Sequence, residues 1–143
     1  MVESTKTRIR TAILLLGDVL PDVLTAEVGL APTSTWRKGD PIGKKGVQHH
    51  RQDGWEVVSE YVHTLDTEEV VRLLLGRIEP HIDRIRVACQ RHNLYSELAI
   101  YITWSDDESL PSLHFEKELL ASVVRLGATI DIDLIAVSDK RGA

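Results

Sequence analysis

"TRIRTAILLLG", residues 7–17, opens with alternation and passes into an unbroken apolar run. Ile9, Thr11, Ile13 and Leu15 share one face, while Arg8 and Arg10 fall on the other, as the two-residue period of a strand requires. The segment therefore reads as a strand buried on at least its isoleucine face, and later elements must supply the cover. Gly17 and Asp18 end it. In "PDVLTAEVGL" Pro21 suits the first turn of a short helix, and Gly29 suits the left-handed residue just past its end.

Downstream, "WEVVSEYVHTL", residues 55–65, reads as a second strand, with Trp55, Val57, Ser59, Tyr61 and His63 on one face. In "DTEEVVRLLLGRIEPHIDRIRVACQRHN" Asp66 or Thr67 can cap a helix whose first turn carries Glu68 and Glu69, where the helix dipole favours negative charge. Val71, Leu74, Leu75, Ile78, Ile82, Ile85 and Cys89 form one apolar stripe. Pro80 cannot donate to the helix ladder, so the stripe is expected to bend or divide near Glu79. "LYSELAIYITW" is a third strand, "SLHFEKELLASVVRLG" a helix stopped by Gly127, and "ATIDIDLIAVS" a last strand with Ile130, Ile132, Leu134 and Ala136 facing inward. The expected fold class is α+β. A single-layer, mostly antiparallel or mixed sheet carries helices on one face, resembling a ferredoxin-like sandwich with an extra helix and strand.

The chain has 143 residues, 43% of them hydrophobic and 27% charged, which suits one compact domain over residues 1–143. A net charge of −5 disfavours generic nucleic-acid binding. The single cysteine, Cys89, precludes an intrachain disulfide and suits a reducing compartment. "AILLL" is too short to span a bilayer and lacks a signal-peptide layout, so a cytoplasmic protein without a membrane partner is expected.

The stretch "GLAPTSTWRKGDPIGKKGVQHHRQDGW", residues 29–55, concentrates chemistry. Over 37–54 it reads as an irregular basic loop. Between 36 and 51, five cations face Asp40 alone, a surplus of four in an acidic chain. The candidate ligand residues for a small anion are Trp36, Arg37, Lys38, Lys44, Lys45, His49 and Arg51, because clustered cations focus attraction for negative charge. A solvated loop is the simpler reading. Gly39 and Gly43 are three residues apart and Lys44 precedes Lys45 rather than Ser or Thr, so no phosphate-loop signature is present. Adjacent His49 and His50 do not readily share one ion, and neither a metal nor a cofactor is expected. Trp36 and Trp55 are expected to pin the ends of the stretch to the core.

On the exposed sheet face, alternation gathers Arg8, Arg10, Glu97, Tyr101, Thr103, Asp131 and Asp133. Paired carboxylates do acid–base work only when one is desolvated, so a solvated charge network is the plainer expectation. Cys89, on an apolar stripe, reads as buried and inert. No catalytic residue is assigned.

"GDVLPDVLTAEVGLAPTSTWRKGD", the tryptophan of "DGWEV" and the "LLLGRIEPHID" helix, in that order over residues 10–90, resemble DUF4279, a bacterial domain of unknown function. The resemblance implies that Trp36, Gly39, Asp40 and Trp55 belong to a shared feature, and it carries no activity. The leading expectation is a non-catalytic protein-interaction domain, binding a protein partner or a second copy through its sheet face or an edge; immunity proteins that neutralise basic toxins exemplify the class. The first alternative is a small-anion or phosphate-binding domain using residues 36–51. The second is a hydrolase or transferase using the sheet-face carboxylates.

Overall fold

A computed structural model describes residues 6–138. The strand read first, β1 (Arg8–Gly17), lies at the centre of a five-stranded sheet. Around it stand β2 (Ser34–Trp36), β5 (Asp53–Val58), β6 (Tyr95–Ser105) and β7 (Thr129–Val137), in the order β2-β5-β1-β6-β7. A small hairpin of β3 (Pro41–Ile42) and β4 (Gln48–His49) stands apart from this sheet. β5 and β6 both run antiparallel to β1, whereas β7 runs parallel to β6. Parallel neighbours need a crossover, here α4 (Lys117–Leu126). The fold is α+β, and its sheet is mixed but mostly antiparallel.

Register carries the expected alternation across the sheet. Ile13 sits between Val57 and Leu98, and Leu15 opposite Trp55. All are buried beneath the helices, where Val71, Leu74, Ile78, Ile82 and Ile85 complete the core. The helices are α1 (Pro21–Val28), α2 (Thr67–Ile78), α3 (Ile82–His92) and α4. α1 starts on Pro21 and stops at Gly29, φ 73°. Asp66 caps α2 by accepting from the Glu69 amide at 3.3 Å. A single 3-10 turn, Glu79–His81, carries Pro80 between α2 and α3, dividing the long apolar stripe as its proline demands.

Four segments depart from their expected form. Residues 37–54 are not irregular throughout, since they contain β3 and β4, and Asp53 and Gly54 begin β5. α4 begins at Lys117, five residues later than its sequence pattern suggests. The second strand ends at Val58 rather than Leu65. Ala12 pairs with Val58, yet Ile9 pairs with Val62 through two 2.9 Å bonds, so one extra residue is inserted on the β5 side. At this bulge the Ser59 hydroxyl accepts from the Thr11 amide at 3.0 Å. A bulge flips the alternation beyond it: Val62 packs against the core, and Tyr61 moves to the face opposite Trp55.

The fourth departure is β7. Register places Ile130, Ile132 and Leu134 beside Leu98, Ile100 and Ile102, on the helix-covered face as expected. They are nevertheless exposed by 37%, 40% and 51%. The core-facing side chains of α4 are Leu119, Val123 and Leu126, and the helical layer stops short of the last strand.

Candidate functional site

The stretch from Trp36 to Trp55 is organised around Asp53, which is 4% exposed. Its carboxylate accepts from the Val19 amide at 3.1 Å, the Lys38 amide at 2.8 Å and Arg37 Nε at 3.0 Å. The Lys38 amide is the main cause that holds this carboxyl below the usual carboxylate range, against the opposing effect of burial, with Arg37 and the Val19 amide assisting. Asp53 thus ties the entry to α1 and the turn after β2 to the start of β5. Its only sequence signal is an acid placed directly before Gly54 and Trp55.

Gly39, φ 93°, sits at the third position of a turn in which the Asp40 amide donates to the Arg37 carbonyl at 2.9 Å, a place where a positive φ favours glycine. The Asp40 carboxylate accepts from the Arg37 amide at 2.8 Å. Trp55 is fully buried, and its indole donates to Thr25 Oγ1 at 3.1 Å. Trp36 behaves otherwise. It lies opposite Gly54, on the face away from the helices, with its ring against the space where a Cβ would stand. The same ring stacks on His50 at 4.6 Å. Only Trp55 is a core anchor, because register sends neighbouring cross-strand positions to opposite faces.

The predicted ligand residues do not converge. Arg37 is engaged by Asp53, and the shallow groove beside Trp36 is lined by Asp22 and Asp40 as well as Arg37. Lys44 and Lys45 lie between β3 and β4, His49 on β4 and Arg51 just after it, all exposed. Among the described residues, no group of three or more His, Cys, Asp or Glu could hold a metal ion. No helix among them is long and apolar enough to cross a membrane.

The open sheet face is built differently. Arg10 lies between two tyrosine rings, 4.8 Å from the Tyr61 centroid and 5.0 Å from Tyr101, with Arg8 5.3 Å from Tyr61. At these distances the negative face of each ring attracts the guanidinium charge. Tyr61 reaches this cluster only because of the bulge. Burial raises the Tyr101 phenol above its ordinary range; Glu56, Glu97 and Asp131 add to the rise and Arg10 opposes it. Tyr95 bridges β6 and β7, within 3.0 Å of Glu97 and 2.8 Å of Thr129 Oγ1. Asp131 and Asp133 stand exposed on β7, which does not supply the desolvation a catalytic carboxylate pair requires.

Beyond that face lies the outer edge of β7, nine residues long, which pairs with no further strand among the described residues, with Ile135 exposed on the open side and Ile130, Ile132 and Leu134 on the other. Leu120 and Val124, on the helix leading into this strand, are exposed as well. Unpaired edges are places where another chain can add a strand.

These features define an α+β domain with a helix-covered core, an arginine–tyrosine outer face and an uncovered apolar edge. The chain belongs to the DUF4279 family, a domain of unknown function, whose match spans residues 7–137. No curated protein and no solved structure matches it.

Proposed function

We propose that this chain is a non-catalytic protein-interaction domain whose docking surface is the β7 edge with the adjoining open sheet face. The observation that carries this is the exposure of Ile130, Ile132 and Leu134 along a strand the helices leave uncovered. Apolar residues on a core-facing register are costly to leave in water, at about 25 cal/mol per Å2 of apolar surface, and burial against a partner recovers that cost. Tyrosine and arginine on the neighbouring face are the residue types that contribute most when an interface closes over them. The test is affinity capture from lysate with the wild-type chain and with Ile132→Asp as bait, both verified as folded. The expected partner is lost with the variant and re-forms a defined complex with the purified wild type. A partner retained equally by both baits would overturn the edge as the docking surface.

A second reading, small-anion binding, rests on Lys44, Lys45, His49 and Arg51, whose exposure leaves them accessible around the hairpin. It predicts that phosphate raises the melting temperature, since a ligand that binds only the folded state stabilises it. The rise must vanish in Lys44→Ala/Lys45→Ala; its persistence there would move the site elsewhere.

A further inference from the structure

The pattern of side chains along the β7 edge specifies the chemistry of what covers it. Successive cross-strand rows run from β1 through β6 to β7. On the helix side they read Ile13–Leu98–Ile130, Thr11–Ile100–Ile132 and Ile9–Ile102–Leu134. On the open side they read Ala12–Ala99–Asp131 and Arg10–Tyr101–Asp133. Each helix-side row ends in an exposed aliphatic side chain, and each of the two open-side rows between them ends in an exposed carboxylate. A strand added at this edge continues every row by one residue, because a sheet keeps its alternation across neighbours.

Resting on the edge-docking reading above, we infer that the partner presents an extended segment alternating aliphatic and cationic residues, with Lys or Arg opposite Asp131 and Asp133. Its aliphatic positions extend the rows of Ile130, Ile132 and Leu134. A second copy of this chain fits less well. Antiparallel pairing of two β7 strands centred on Ile132 sets Asp131 opposite Asp133 twice, and centring on Asp133 sets that carboxylate opposite itself. Like charges directly opposite destabilise a pair. The net charge of −5 opposes self-association and steers cationic segments towards the domain.

The experiment uses two labelled peptides with identical flanks, one with a Val-Lys-Val-Lys-Val centre and its twin with Glu for Lys. Binding is read by fluorescence anisotropy and located by the amide resonances of residues 129–137. The lysine peptide is expected to bind at least roughly tenfold tighter than the glutamate twin and to perturb the β7 amides. That preference should collapse in Asp131→Asn/Asp133→Asn and shrink at about 0.5 M salt, where exposed charges are screened. Ile132→Asp should weaken binding of the lysine peptide.

Equal binding of both peptides at β7 would leave the edge as a docking surface and overturn the cationic partner. Binding of neither by a monomeric protein would overturn both readings. A dimer in sedimentation that Ile132→Asp dissociates would assign the edge to a second copy and overturn the partner inferred here.

Discussion

Replacing Asp53 by Ala removes the acceptor of three donors at once: the Val19 and Lys38 amides and Arg37 Nε. Arg37 is 54% exposed and returns to solvent at little cost. The bond to the Val19 amide is buried, and a buried donor left unpaired costs about 1–3 kcal/mol. With a smaller contribution from the half-buried Lys38 bond, the expected loss is about 2–4 kcal/mol, or roughly 5–15 °C in melting temperature for a chain of this size. Asp53→Asn keeps one acceptor oxygen and loses the charge, so its loss should be smaller. The pH dependence has a definite sign. The folded carboxyl titrates below its ordinary value. Its stabilisation is therefore complete above the unfolded value near about 3.9 and is lost as pH falls through the folded value. Thermal unfolding followed by circular dichroism, from neutral to about pH 2, should show the wild-type advantage over Asp53→Asn closing in acid. An advantage equally large at both ends, or an Asp53→Ala protein that melts with the wild type, would refute the account of Asp53 as the staple of this stretch.

A Cβ at residue 54 would meet the Trp36 ring, so Gly54→Ala should cost about 1–3 kcal/mol by overpacking. Adding Trp36→Ala should recover part of that loss in a double-mutant cycle, and strict additivity would contradict the contact. Cys89 is half-buried rather than fully enclosed, and burial pushes its thiol up to about 11, so an aromatic disulfide reagent at mildly alkaline pH should label it much more slowly in the folded chain than on unfolding. Rapid labelling of the native chain would show that the thiol is not held in its apolar site. Spectrophotometric titration should find a phenol ionising above the ordinary range, lost in Tyr101→Phe, and an unchanged titration curve in that variant would reassign the shift.

The capped and punctuated segments were legible because their signals are local. Pro21, Gly29, Asp66, Pro80 and Gly127 act through their own backbone and its nearest turns, and each does in the fold what its type implies. The same locality explains why β1 could be recognised from eleven residues. Asp53 was missed because its role needs three donors from segments 15 to 34 residues away, and nothing adjacent announces them. Trp36 and Trp55 looked alike as large apolar rings, and only strand register sends one into the core and the other across Gly54.

The candidate site divides along the same line. Alternation alone gathered Arg8, Arg10, Glu97, Tyr101, Asp131 and Asp133 on one face, since a period of two depends only on the strand itself. It could not include Tyr61, because the inserted residue between Val58 and Val62 is visible only against the partner strand. Nor could it foresee the exposure of β7. Ile130, Ile132 and Leu134 carry the pattern of a covered strand, but cover depends on how far the helices extend across the sheet. By itself the sequence determined the faces of β1, β6 and β7, the helix boundaries set by caps and the α+β class, all consequences of local backbone chemistry. Tertiary structure alone decided which apolar face stays open, because burial belongs to the neighbours a residue meets and not to the residue.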